Sequence, residues 1–493
     1  MTLGESIRKG VKWLLVGSTG GQILQFAFGI VLARILVPAD FGMIVTIQIF
    51  TGFVAMLATG GMGQSLIRAK DATSDDFNAV FTLQLALGII VYGGFFVFAP
   101  WLAKYLENPL YQDLLRVSAL SFILRPFSLV RIAWLTRAMN FGKRAVVDLT
   151  AGALSGVSSV LMAAIGLGVW SLTLAGLVGV LVSNVLYFFA TPLRIRLRFD
   201  TAIARRHTAY GFKITANDFL DYVRDESVNL LLSKIAGPAS LGLFNKASSL
   251  ARMPNLLIAP PTGQTVFRAL SKVQDDLDMT KYIFYRTITL LTVYVLPCLV
   301  GLWWVAEPFI QVVYGPKWLP AAEPMRILII GAAFRTINNP CGVLLAAQNR
   351  LVQEMVGQTL NVIFTVIAVL IGLNWGLQGV ACAVVASVIF RTTYLYVLAY
   401  RTLRTRVTDL LKAIAPALLL NALLFAVLFG VHHFAGDLRS SIPALYLCVM
   451  TISGVLAYAV AFLFLPIPAL QSEVTRWRAA VRRGAELVSK TLL

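Results

Sequence analysis

Lys213–Arg252 reads KITANDFLDYVRDESVNLLLSKIAGPASLGLFNKASSLAR. The stretch is long and apolar enough for two helices, yet it carries Asp218, Asp221, Arg224, Asp225, Glu226, Lys234, Lys246 and Arg252. Such a segment makes a poor soluble core and an expensive lipid-facing surface, since a lone charge at a bilayer centre costs about 2.5–3.5 kcal/mol on insertion scales. It requires a partner surface or a watery cavity inside a membrane protein.

The rest of the chain decides between them. It is 58% hydrophobic and 13% charged, with a mean hydropathy of +0.78. Globular chains are about half apolar and a quarter charged, so this composition belongs to a membrane protein. Apolar runs of about 20 residues argue for spanning helices over a barrel. Cys298, Cys341, Cys382 and Cys448 all lie in apolar runs without metal-type spacing and read as small hydrophobes in helix packing. The three histidines are scattered, with His432 and His433 at a helix end, and no zinc site, catalytic triad or phosphate loop is visible. The chain therefore calls for no cofactor. A net charge of +19 would suggest nucleic acid in a soluble protein. Here the positive-inside rule accounts for it instead.

Arg8, Lys9 and Lys12 precede an apolar run from Trp13 to Ile35, too long for a signal peptide and read as an uncleaved first span. Hydropathy then predicts spans near 42–66, 79–101, 113–135, 147–168, 171–191, 211–235, 240–266, 283–306, 322–346, 355–373, 377–400, 412–434 and 441–465, about fourteen in all. One set of loops holds Arg68, Lys70, Arg137, Lys143, Arg144, Arg194, Arg196, Arg198, Arg205, Arg206, Arg268, Lys272, Lys281, Arg350, Arg401, Arg404 and Arg406. The opposite loops offer little beyond Lys104, Lys317 and Arg439. The asymmetry predicts both termini on the cytoplasmic side. After Pro468 a basic tail containing Val474, Trp477 and Val481 reads either as a short amphipathic helix on anionic lipid or as a topology anchor.

The most specific signal is an internal repeat. RILVPADFG at Arg34–Gly42 matches KIAGPASLG at Lys234–Gly242, and GQSLIRA at Gly63–Ala69 matches GQTVFRA at Gly263–Ala269, both at an offset of 200. Arg116 and Arg125 are echoed by Arg326 and Arg335 at an offset of 210, and IGLGVWSL from Ile165 by IGLNWGLQ from Ile371 at 206. Six helices fit between the matches, so the copies keep one orientation. The expected architecture is an all-α integral membrane protein of two parallel six-helix lobes, 1–200 and 201–406, followed by two extra spans over 407–467 and a basic tail over 468–493. Parallel repeats of this kind build transporters, with the substrate path at their interface.

The opening stretch is then the first hairpin of the second lobe, and it is charged where residues 13–66 are nearly charge-free. At a hundred degrees per residue, Asp218, Asp221, Tyr222, Asp225 and Asn229 share one face of the seventh helix, bordered by Arg224 and Glu226. On the eighth, Asn245, Ser248, Ser249, Arg252 and Asn255 share a face, with Lys246 at its edge. These faces are expected to line a common cavity. Arg34, Arg116, Arg125, Arg224, Lys234, Lys246, Arg252, Arg326 and Arg335 make an interior richer in cations than acids, which prefers an anionic substrate; the arginine fork suits phosphate or pyrophosphate. Arg116 and Arg125, nine apart, fall on opposite faces of a helix, so at most one is expected to meet the cavity. Asp218, Asp221, Asp225 and Glu226 read either as counter-charges or as a proton or sodium site.

LGLFNKASSLARMPN at Leu241–Asn255, VFRALSK at Val266–Lys272, YGPKWLPAA at Tyr314–Ala322 and the N-terminal ARILVPADFG together resemble the Wzx-type polysaccharide and O-antigen repeat-unit flippases, in their colanic-acid-exporter-like branch. That family sits in the multidrug/oligosaccharidyl-lipid/polysaccharide exporter superfamily. The resemblance implies a V-shaped pair of lobes that opens a cationic cavity alternately to each side of the bacterial inner membrane. It implies an undecaprenyl-pyrophosphate-linked oligosaccharide as cargo, membrane lipids and polysaccharide polymerase or export machinery as partners, no nucleic acid, and no enzymatic role. Competing readings are a cation-coupled multidrug exporter of the same superfamily, a membrane glycosyltransferase or polymerase, and a non-transporting scaffold.

Overall fold

Four of the long helices begin on side chains that satisfy free N–H groups of the first turn. The structure, a computed structural model, describes residues 3–479 except 60, 70 and 71, and the side chains of these residues except 3–9, 11, 59, 209–218, 220, 221, 259–261, 264 and 351. Among the described residues are fourteen helices of 22 residues or more. They are α1 Leu3–Ile35, α2 Pro38–Thr59, α3 Ser74–Tyr105, α4 Leu110–Arg137, α5 Phe141–Ala164, α6 Val169–Ala190, α7 Thr201–Ile235, α8 Gly237–Lys272, α9 Leu277–Trp304, α10 Ala322–Ala347, α11 Leu351–Gly372, α12 Gly376–Leu403, α13 Val407–Ser441 and α14 Pro443–Phe464. Short helices Met62–Arg68 and Ala306–Val313 fill two of the junctions. Asn140 caps α5 by accepting from the Lys143 N–H. Asp200 caps α7 through the Ala202 and Ile203 N–H groups, and Asp276 caps α9 in the same way. Thr73 and Asp76 form a capping box at α3.

Eleven segments are long and apolar enough to cross a membrane, and one of them, Val352–Leu403, contains both α11 and α12. The two long helices outside this set are α7 and α8, which hold the charged stretch. The chain is a multi-pass, all-helical membrane protein. With 35 residues, α7 runs about 52 Å at 1.5 Å per residue, well beyond a hydrocarbon core of about 30 Å. The basic loops fall at the even-to-odd junctions from α2/α3 to α12/α13, as the charge asymmetry requires.

Three of the four repeat matches fall at equivalent places six helices apart: the α1/α2 and α7/α8 junctions, α4 and α10, and the α5/α6 and α11/α12 junctions. The fourth, GQSLIRA with GQTVFRA, falls on the separate short helix Met62–Arg68 in the first copy and within the continuous α8 in the second. At the α5/α6 and α11/α12 junctions the structure shifts the register. Gly168 (φ 53, ψ −131) is matched by Gly376 (φ 66, ψ −153), an offset of 208 where sequence similarity gave 206. Side chains rarely adopt that backbone region, so the glycine sets the register.

By contact the chain divides into two compact units, 1–245 and 246–493. The first has cores around Met43, Leu114 and Leu115 and around Leu66, Phe81 and Val130. The second packs Leu270, Phe284, Cys341 and Leu395. Of the four cysteines only Cys341 serves as packing: Cys298, Cys382 and Cys448 are exposed. They stand on outward faces of helices whose other residues are in part buried, so hydropathy alone could not separate core from periphery.

Candidate functional site

In the first unit the repeat signatures touch. A side chain on Gly42 would strike the carbonyl of Pro238, and one on Gly242 would strike the carbonyl of Pro38. Here two helix starts approach backbone to backbone, which only glycine permits. On the same side of the molecule, Lys234 at the end of α7 donates to the Tyr105 carbonyl and to Glu107 Oε1, both at 2.6 Å, and lies 4.8 Å from the centre of the Tyr105 ring.

The polar face of α7 is partly a packing face. The Tyr222 hydroxyl, expected beside the aspartates, donates to the Ile49 carbonyl of α2, and its ring packs on Phe53. Arg224 Nε meets its neighbour Asp225 at 2.9 Å, and Glu226 accepts from Asn229 at 2.8 Å. Asp218 and Asp221 lie outside the residues whose side chains are described. Arg34 is exposed at the end of α1.

Arg116 and Arg125 part as nine-residue spacing on a helix requires. Arg116 donates to the Phe96 carbonyl at 3.3 Å and stacks its guanidinium 4.2 Å from that ring. Arg125 opens into a recess of about 470 Å³ walled by α4, α5 and α6 and lined by Ser128, Asp148, Gly152, Ser155 and Ser183. Asp148 there accepts from Tyr187 at 2.6 Å and pairs with Arg144. No acid bonds Arg125 among the described residues.

In the second unit, Lys246 sits over the buried rings of Tyr314 and Trp318, 4.9 and 5.3 Å from their centres. Arg326 is committed to Glu323 at 2.5 Å and Glu307 at 3.8 Å, and Glu307 also takes Arg439. Arg335 is half-buried on α10. Arg252 differs from all of these. Its Nε is buried and meets no acceptor among the described residues. Arg131, Arg326 and Arg391 share that feature, but their terminal nitrogens engage Phe127, Glu323 and Glu354. One turn on from Arg252, Asn255 is locked by the Ala332 carbonyl and the Thr336 hydroxyl, which fixes the helix that carries the arginine.

One histidine is far from scattered. His207 Nδ1 lies 2.7 Å from Ser65 Oγ, and its Nε2 lies 3.0 Å from Asp76, which also pairs with Arg206. A serine, a histidine and an aspartate in line suggest a hydrolase, but the ring is reversed from the usual triad and all three side chains are buried. The cluster staples α7 to the start of α3 and to the helix Met62–Arg68. The capping box Thr73–Asp76 was its one signal in the sequence.

Fourteen long helices among the described residues, most of them apolar enough to cross a membrane, with arginines within both units, make this a polytopic helical membrane protein. The chain belongs to the polysaccharide biosynthesis protein family, whose model matches residues 31–323. It is similar to the lipopolysaccharide biosynthesis protein WzxC of Escherichia coli K12, at 26% identity over 71% of this chain and 72% of that protein. It is also similar to the succinoglycan biosynthesis transport protein ExoT of Rhizobium meliloti, at 26% over 68% of each. Among solved structures, the lipid II flippase MurJ in an inward closed conformation superposes with a TM-score of 0.69 at 17% identity, over 90% of this chain and 96% of that one. An inward-facing multidrug resistance MATE transporter gives 0.64 at 13%, over 78% and 94%.

Proposed function

We propose that the chain moves an undecaprenyl-pyrophosphate-linked oligosaccharide from the cytoplasmic to the periplasmic leaflet of a bacterial inner membrane, with both termini cytoplasmic and with alternating access of a cationic path. The observation that carries the reading is Arg252, a half-buried guanidinium whose Nε finds no acceptor within the described protein. A buried donor left unpaired costs about 1–3 kcal/mol, more if charged, unless a ligand supplies the acceptor. A pyrophosphate supplies several, in the geometry a guanidinium prefers. Arg125, opening into a recess lined by serines, is the matching feature of the first unit and suits an acidic or hydroxylated sugar. Lys234, Arg326 and Arg116 are spent on protein partners and stay outside this proposal. A groove of about 230 Å³ lined by Leu299, Trp303, Ile330 and Phe425 offers the prenyl chain an apolar berth.

The names of the relatives WzxC and ExoT agree with this reading. The multidrug-exporter alternative needs acids free to bind a cation, and Asp225 is instead paired with Arg224. Arg252→Ala is expected to abolish surface polysaccharide in a deletion strain while the protein stays folded and membrane-inserted, with Arg252→Lys retaining part of the activity. Normal polymer from Arg252→Ala refutes the assignment.

A further inference from the structure

A cavity of about 460 Å³ lies outside every site used above. It is walled by Ile258 and Thr262 of α8, by Leu290, Leu291 and Tyr294 of α9, and by Glu473, Arg476 and Trp477 of the tail. The tail reaches it because it folds back onto the second unit. After the turn Pro468–Leu470, residues 471–479 are helical, and Leu470 and Val474 are buried against Val293, Leu420 and Phe462. Arg286 of α9 ties the segment down: it donates to the Ala469 carbonyl at 2.5 Å, to Ser472 Oγ at 2.8 Å and to Glu473 at 3.3 Å. Trp477 Nε1 donates to the Tyr294 hydroxyl at 3.0 Å.

These bonds decide which groups the cavity presents. Arg286 neutralises Glu473. Tyr294, already accepting from Trp477, keeps its own hydroxyl proton to donate. Arg476 is exposed and makes no ion pair or hydrogen bond among the described residues. An aliphatic wall, a tryptophan–tyrosine pair and an uncommitted guanidinium thus meet in one place. That is the combination an interfacial lipid needs: a chain on the wall, rings at headgroup level and a cation on the phosphate.

We propose that this cavity binds the anionic phosphate headgroup of a lipid, with Arg476 on the phosphate and Leu290 and Leu291 against the chain. Only the choice of leaflet, the cytoplasmic one, rests on the orientation proposed above. Two sources carry this chemistry, a bilayer phospholipid and a prenyl pyrophosphate. The test uses the full chain in neutral detergent, titrated with dioleoylphosphatidylglycerol, dioleoylphosphatidylcholine or undecaprenyl pyrophosphate, and reads lipid adducts by native mass spectrometry. At least one of the two anionic lipids is expected to bind, and to bind about fivefold more weakly to Arg476→Gln, the worth of one basic group near a charged interface. Arg476-dependent binding of phosphatidylglycerol alone assigns the site to bilayer lipid, and Arg476-dependent binding of undecaprenyl pyrophosphate alone assigns it to a prenyl carrier. Arg286→Gln, which unties the tail, is expected to weaken binding as well. The proposal is overturned if neither anionic lipid binds, if phosphatidylcholine binds as well as they do, or if Arg476→Gln binds like the parent. Should Arg252→Ala leave polymer intact while Arg476-dependent phosphatidylglycerol binding persists, the transport reading falls and the lipid site stands.

Discussion

Replacing Asp76 by alanine tests the buried staple directly. The carboxylate accepts from the Thr73 N–H and hydroxyl, each at 2.9 Å, from His207 at 3.0 Å and from Arg206. Loss of the helix cap costs about 1 kcal/mol. The hydrogen bond from the fully buried His207 to a charged acceptor is worth about 1.5–3 kcal/mol. Arg206 is 61% exposed, so its share is discounted to that of a surface pair, at most about 1 kcal/mol. Because the imidazole left behind is buried without an acceptor, the total approaches the about 3–5 kcal/mol typical of breaking a buried charged pair. Ser65→Ala, which removes one neutral hydrogen bond, is expected to cost only about 1 kcal/mol. Thermal unfolding of the detergent-solubilised protein measures both, and an Asp76→Ala/His207→Ala cycle isolates their coupling at more than 1 kcal/mol. An Asp76→Ala variant as stable as Ser65→Ala, or a cycle without coupling, would refute the reasoning.

Two further predictions concern the face where the repeat signatures meet. Gly42→Ala and Gly242→Ala each drive a methyl into a backbone carbonyl and are expected to cost about 1–3 kcal/mol. Gly93→Ala, with open space around its Cβ position, is expected to be neutral or stabilising by up to about 1 kcal/mol in the same unfolding assay. The Lys234 hydrogen bond and charge hold the Glu107 carboxyl below its ordinary value. A depressed carboxyl contributes stability above its unfolded pKa and loses it as pH falls through the folded one. The small stability advantage of the parent over Lys234→Gln is therefore expected at neutral pH, to fade in acid below pH 4.5, and to shrink in high salt; an advantage independent of pH would contradict the pairing.

The all-helical membrane class and the main helix junctions were legible because they depend on local quantities: apolar run length, loop charge and short motifs such as VPADFG and GPASLG. The exception was the register at Gly376, where backbone conformation outweighed residue similarity. The charged residues were legible as a group but not one by one. Their partners come from distant segments: Glu107 for Lys234, the Phe96 carbonyl for Arg116, the α2 backbone for Tyr222. A helical wheel assigns direction and is blind to what stands opposite, so Tyr222 looked like a cavity residue although it packs. His207 was illegible for the same reason, since Ser65 and Asp76 lie 142 and 131 positions away. The tail's two readings, amphipathic helix or anchor, left out that Leu470 and Val474 would find a core to enter.

The contact of Pro38 and Gly42 with Pro238 and Gly242 is reciprocal, each proline carbonyl resting on the glycine of the other copy. Reciprocity of that kind is the mark of an isologous two-fold interface between identical subunits. A half-length ancestor bearing one proline–glycine signature would have carried a face complementary to itself. Duplication and fusion would then turn a dimer interface into an internal seam. The first copy could stay apolar while the second acquired charge, a division of labour that identical subunits cannot have.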